Sequence, residues 1–418
     1  MKVKSLKVAG IATALLGSAI SAHAGGLERS SQDFDILFEQ GTVVDTTGTF
    51  VAPQRKLKNI RGSGIGALTP NGNPYSGGPY KTEVDEAKSY WVPKFSAKVD
   101  LTDDLACAAQ YRQPWGIHTD VGYNTVRSFV AVEQKISSND YGLNCSYRFA
   151  AGEKGYFRIL GGVSYQELKG EQTRILPSQV VPLPGGGSTT FPFRIGTLDV
   201  EDKNVGWRIG AAYELPEYAI RASLVYQSKV SYDLKGDVGN IVPGTNVNVL
   251  GEVATPQSLE FKFQTGIAPD WLAFGSVKWV DWSSIDRVSF VNDSGAIYAG
   301  RFLPGQEVTA LNLYFKDGWT VSGGVGHKFN EQWSAAATVT WDRGTTTGLT
   351  SQTDVWLFGL GTNYKATENF EVRLAGAAGM LTSGQLDDRG VGTPGLGSIG
   401  EFGNDFVGAL SLTAKVKF

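Results

Sequence analysis

This 418-residue chain is predicted to be all-β: a 14-stranded antiparallel transmembrane β-barrel with a short N-terminal hatch. Three observations carry that expectation. Apolar and polar residues alternate with a period of two through most of the sequence, while helical periodicity is nearly absent. Tight polar turns and long Gly/Pro/Asn-rich loops alternate strictly, which gives an even strand count. No run of about 18 consecutive apolar residues exists, so a bundle of membrane helices is excluded.

Composition narrows the class further. Aromatics reach 11% and the formal net charge is only −3. That combination excludes a disordered chain and argues against a nucleic-acid binder. Two Cys and three His are too few for a closed Cys/His zinc centre.

The N-terminus gives an address. Lys2, Lys4 and Lys7 precede an apolar stretch from Val8 to Ile20, and Ala22-His23-Ala24 ends it. This is the pattern of a secretory signal, too short to span a bilayer, with cleavage expected after Ala24. The mature chain would keep 35 basic residues against 41 acidic ones, a net charge of about −6. Residues 1–24 are thus read as signal peptide and 42–418 as the barrel; 25–41 are read as a hatch segment folded back into the lumen, or else as a disordered tail.

Six tight turns are expected, at 102–104, 151–154, 216–217, 269–270, 330–331 and 367–369. Seven long loops are expected near 54–88, 115–127, 171–193, 236–254, 291–306, 345–352 and 384–404. Fourteen strands lie between them. They fall near 42–53, 89–100, 105–114, 128–149, 155–170, 194–214, 219–235, 255–267, 271–290, 307–329, 332–344, 353–365, 370–383 and 405–418. The alternation is plain in Tyr141–Phe149, where Tyr141, Leu143, Cys145, Tyr147 and Phe149 oppose Gly142, Asn144, Ser146 and Arg148. One apolar and one polar face suit a sheet between two solvents. Such a sheet crosses a membrane only when closed, because an open edge leaves amides unpaired in hydrocarbon. With a signal peptide, the place is the outer membrane of a Gram-negative bacterium. Trp91, Trp115, Trp271, Trp279, Trp282, Trp319, Trp333 and Trp356 are read as interfacial girdles.

Enzyme readings find no support. His118 and His327 sit in no metal motif, and no G-x-S-x-G occurs. Gly395–Gly400 matches G-x-G-x-x-G but precedes a strand, whereas a dinucleotide site needs a helix there. No cofactor is expected.

Several stretches resemble the FadL-type family of long-chain fatty-acid transporters. They are GGLERSSQDFDILFEQG at 25–41, YRQPWG at 111–116, YGLNCSYRF at 141–149, the block at 255–286 and GVGHKFNEQWSAAATVTW at 324–341. The resemblance implies a monomeric barrel plugged by its N-terminus. It implies capture of a fatty acid or hydrocarbon in an outer groove, transfer to a pocket near the hatch, and lateral release through a kinked third strand into the bilayer beneath the lipopolysaccharide. The terminal Phe418 is similar to the signal read by barrel-assembly machinery. The family's hatch is longer and carries an Asn-Pro-Ala motif, and residues 25–40 have neither. The alternative is a water-filled porin for small polar solutes.

Site candidates follow. Leu27, Phe34, Ile36 and Phe38 would line the pocket or pack the plug. By alternation Lys94, Lys98, Arg148, Arg158, Arg221, Lys262 and Arg373 face the lumen, most of them in a salt-bridge lattice with Glu260 and Glu371. Arg148 and Arg158 flank one tight turn, where the hatch would dock. Pro114 removes a ladder donor and marks either a lateral opening or the strand's end. Ile175, Leu176, Val180, Val181, Leu183, Phe191 and Phe193 make loop 171–193 apolar, as an outer groove or a folded lid. Cys107 and Cys145, on adjacent strands with the same parity, permit a disulfide or stand as two small hydrophobes.

Overall fold

The computed structural model describes residues 26–31, 34–62, 64, 72–75, 77–182, 186–298, 302–389 and 397–418. The signal segment 1–24, Leu183 and Gly395 lie outside them. Fourteen barrel strands follow in chain order. The first six are β1 Val43–Pro53, β2 Tyr90–Asp100, β3 Leu105–Arg112 continued as Gly116–Asp120, β4 Glu133–Ala151, β5 Gly155–Leu176 and β6 Arg194–Leu215. Four interrupted strands come next: β7 Ile220–Gln227 with Val230–Gly239, β8 Asn246–Thr255 with Ser258–Ala268, β9 Trp271–Val280 with Arg287–Asn292, and β10 Glu307–Asn312 with Gly318–Lys328. The last are β11 Trp333–Arg343, β12 Val355–Lys365, β13 Phe370–Leu381 and β14 Asp405–Lys417. Each pairs antiparallel with its neighbours, and β1 closes the ring by pairing with β14 from Val43↔Lys417 to Pro53↔Val407.

All six tight turns stand where the sequence places them. Gly152 (φ +74°) and Asp270 (φ +64°) take the left-handed geometry that such turns use. The long loops need correction. The expected loop 236–254 is mostly strand, since β7 runs to Gly239 and β8 starts at Asn246. Loop 171–193 loses Ile175 and Leu176 to β5 and forms a small hairpin, Gln179–Pro182 with Ser188–Phe191. The fourth strand starts at Glu133, because Val126–Phe129 coils into a 3-10 turn.

Strands β5 and β6 have 22 residues each. At about 3.3 Å per residue they far exceed the ~25 Å lipid-facing band of such barrels, even when tilted. The wall therefore projects beyond the bilayer. Its faces change there. On the lower part of β5, Phe157, Ile159, Val163 and Tyr165 are exposed to lipid while Arg158, Ser164 and Gln166 are buried inside. At Leu168 an apolar side chain turns in, and the outward positions beside it carry Lys169 and Glu171. The same inversion occurs on β6, between Val205, Trp207 and Ile209 outside and Leu198 and Val200 inside. Apolar side chains turn in where the outer solvent becomes water.

The girdle reading holds for Trp91, Trp271, Trp319, Trp333 and Trp356, all exposed. It fails for Trp115 and Trp282, which are 3% and 2% exposed. Both sit in strand interruptions that turn the ring into the barrel.

Cys107 and Cys145 are directly paired across β3 and β4 and are joined by a disulfide. Maleimide labelling of the denatured protein should therefore find no free thiol before reduction and two after it. Labelling without reductant would show that the bond does not form.

Candidate functional site

The hatch is seated by charge. Within residues 26–41 three acids face barrel cations: Glu28 pairs with Lys278 of β9, and Asp35 with Arg221 of β7 (2.9 Å) and Lys262 of β8 (3.1 Å). Glu39 meets Lys415 and Lys417 of β14, the latter at 2.8 Å. Backbone carbonyls add contacts. Lys98 donates to Glu39 O and Gly41 O at 2.8 and 2.9 Å, and Arg112 donates to Ser30 O at 2.8 Å. Arg112 also shares the buried Asp140 with Arg208, so the plug joins the wall lattice. Between these anchors Phe34, Ile36, Leu37 and Phe38 form an apolar cluster with Val43, Ala106, Leu160 and Ala212. Phe34, Ile36 and Phe38 thus pack the plug itself.

Of the two arginines singled out by parity, Arg158 reaches the plug. It donates to Leu37 O at 3.3 Å, pairs with Glu214, and lies over the Phe38 ring. Arg148 instead binds Asp104 and Asp103 O on the adjoining turn. Most of the other cations join ion pairs. Arg373 sits 3.7 Å from Glu371, Lys262 is 4.0 Å from Glu260, and Lys98 pairs with Asp100.

Above the plug lies an apolar chamber of about 150 Å³. Leu27 forms its floor with Trp115, Trp282 and Phe315, whose rings meet edge to face at 5.5–5.6 Å. Gly26 (φ +64°) passes under Trp282, where a Cβ would lie 2.5 Å from the ring, so only glycine fits. Leu168, Leu198, Val200, Leu234 and Phe290 make the wall. The roof is the 3-10 turn Val126–Phe129, packed with Leu57, Ile60, Leu386 and Phe402. Ile175 belongs to that roof cluster, and Phe193 packs against it. Leu176 is buried, Val180 is exposed, and Phe191 is half-buried on the hairpin. The loop 171–193 therefore splits between roof and surface.

A polar mouth adjoins the chamber, lined by Arg127, Gln134, Gln172, Arg174, Asn312 and Asp388. Arg127 pairs with Asp388. Among the described residues Arg174 has no carboxylate partner; its guanidinium donates to Thr309 Oγ1 at 3.2 Å. Sequence reasoning missed Arg174, because it stands in a stretch read as loop.

The wall opens beside the floor. The β2–β3 ladder stops at Lys94↔Arg112, and Ser89–Pro93 and Gln113–Ile117 do not pair with each other. Pro114 lies inside this break rather than at the strand's end, since β3 resumes at Gly116. The hatch takes the missing place: Arg29 N donates to Pro114 O (2.7 Å) and Gly116 N to Leu27 O (2.8 Å). Glu28 and Trp115 thereby form an antiparallel bridge. The Arg29 guanidinium lies 4.1 Å over the Tyr90 ring at the same spot. One short segment both floors the chamber and stitches the breach.

Burial pushes the Glu39 carboxyl up, but Lys415 and Lys417 pull harder and hold it down at about 2. Its folded value lies below its free one, so its contribution is complete above about pH 4.5 and is lost as pH falls toward 2. Protease access to residues 26–41, or ion conductance, should rise across that window. Glu39→Gln should raise both at neutral pH, since breaking a buried pair costs about 3–5 kcal/mol. Unchanged access in acid would remove the charge seat.

The model of the outer membrane protein transport family (OMPP1/FadL/TodX) matches residues 3–404. A long-chain fatty acid transport protein of Escherichia coli O6:H1 is 22% identical over 285 residues, 61% of this chain and 60% of that protein's length. The fold is shared with a Pseudomonas aeruginosa FadL homologue (TM-score 0.75, 17% identity, 92% of each chain). It is also shared with the Pseudomonas putida toluene transporter TodX (0.60, 14%, 92% of each). The Ralstonia pickettii toluene transporter TbuX is a third likeness (0.59, 13%, 97% of this chain and 99% of that one). The chain belongs to the outer membrane protein transport protein family, OMPP1/FadL/TodX.

Proposed function

We propose that this protein carries long-chain fatty acids, or similar hydrophobic molecules, passively across the outer face of the outer membrane as a monomer. The observation that carries the reading is the apolar chamber set between a polar mouth and a breach in the wall. A chain of methylenes gains about 0.8 kcal/mol per buried CH₂, enough to leave water for such a chamber. Arg174 and Arg127 at the mouth suit the carboxylate of a fatty acid. Displacing Leu27–Arg29 would open the floor and unstitch the β2–β3 breach together. The ligand would leave sideways between Tyr90 and Trp115 into the bilayer, where hydrocarbon offers no barrier. Phe418, exposed at the rim, suits recognition by the barrel-assembly machinery.

Uptake of labelled oleate by cells lacking their own transporter tests the reading, with heat-modifiable gel migration reporting a folded barrel. Uptake above vector is expected, lost on deleting residues 27–38. A folded barrel with no uptake of oleate or of aromatic hydrocarbons would overturn it. Arg174→Ala should weaken oleate binding about 10- to 150-fold and leave methyl oleate unchanged, as for a charge-assisted hydrogen bond of about 1.5–3 kcal/mol. Equal losses for both ligands would remove the headgroup role.

A further inference from the structure

The wall is broken at a second place, on the far side of the ring. The β8–β9 ladder ends at Gly251↔Phe290 and resumes only at Ser258↔Val280. Glu252–Gln257 on one strand face Asp281–Ser289 on the other, and β9 is the longer by three residues. The surplus coils inward as the 3-10 turn Trp282–Ser284, which places Trp282 and Ile285 in the barrel. Asp281 N still bonds Gln257 O at 3.0 Å, which marks the lower end of the gap.

The origin of the break is a change of face. On β8, Leu259, Phe261 and Phe263 point to lipid, while Val247 and Val249, of the same parity, are buried inside. The step through Pro256-Gln257 makes this exchange. β9 keeps its parity, with Leu272 and Phe274 below and Val288 and Phe290 above all buried inside. Two neighbours that treat the same height differently cannot stay in register.

The chamber reaches both lips. Val253, Ala254 and Thr255 line it from β8, and Ile285, Val288 and Phe290 from β9. Consecutive residues of both parities line it on β8, as expected of a strand edge that lacks its neighbour. The outer rim of the gap is polar, with Glu252, Ser283, Ser284, Asp286 and Arg287 exposed. This is the height at which the barrel has left hydrocarbon.

We infer that the β8–β9 break is a lateral inlet, through which the alkyl chain of an amphiphile enters the chamber from the aqueous side. The inference rests on the transport reading above. It assigns the two breaks different tasks. The β2–β3 break is stitched by the hatch and serves release. Among the described residues no strand substitutes in the β8–β9 break, which serves entry, while the roof packs over the axial route. Trp115 of one break touches Trp282 of the other, so the floor runs from breach to breach.

Crosslinking separates the possibilities. Glu252 and Arg287 stand exposed on opposite lips and do not line the chamber. The pair Glu252→Cys with Arg287→Cys, bridged by a short bis-maleimide, closes the gap from outside. The native cysteines are already joined and do not react. Oleate uptake should fall at least tenfold in the bridged protein, while each single variant treated with the same reagent keeps its uptake. Bridging that leaves uptake unchanged would make the break a structural step only and overturn the inlet. Wild-type protein without uptake of any apolar probe would instead sink the transport reading itself. If the double variant fails to fold, Ala254→Trp, which fills the gap without a crosslink, must give the same loss.

Discussion

The solvent outside this barrel changes from hydrocarbon to water part-way up the wall, and the strands must answer that change. Below it, apolar side chains face out and the lumen holds the Arg112–Asp140–Arg208 lattice. Above it, the apolar side chains face in and create a chamber. On β5 the exchange happens without leaving the strand, between Gln166 and Leu168. On β7 and β8 it happens through interruptions at 228–229 and 256–257. The chamber and one break in the wall are therefore consequences of a single constraint on where apolar surface can go.

At bilayer height a break is tolerable only where the freed backbone groups find partners within the protein. In the β2–β3 breach the partner is the hatch, whose residues 27–29 act as a local strand. This explains how so short a segment can matter. It does not fill the barrel; it pairs with the one stretch of β3 that lost its neighbour. Its acids are distributed to β7, β8, β9 and β14, so one segment is tied to many strands. Plug position and wall closure are then one variable. On the proposed route, a ligand pressing on Leu27 would act on the hydrogen bonds to Pro114 and Gly116.

Much of the site was visible in the sequence in pieces. The apolar hatch residues, Arg158 and the donor-less Pro114 were identified from residue type and parity. Their assembly was not. Phe34, Ile36 and Phe38 pack the plug, and of the four hatch residues only Leu27 meets the chamber. Trp115 and Trp282 looked like girdle residues because aromatic identity near a strand end is the same signal in both roles. Arg174 is missed because its stretch reads as loop, and Leu234 because the alternation reads with one fixed phase. The signal was present: apolar parity switches from Tyr165 to Leu168, and Asp199, Glu201 and Lys203 take the outward positions on β6.

The sequence by itself determined the all-β class, the fourteen strands and the six short turns. These follow from local rules, since side-chain alternation and turn chemistry need no distant partner. Only the tertiary structure decided where the ladder opens. It brought Glu28 to Lys278 and Glu39 to Lys415, across 250 and 376 residues of chain. It also turned Trp115 and Trp282 toward each other across the lumen. Register between strands depends on how each neighbour handles the same change of solvent, and that comparison exists only once the barrel has closed.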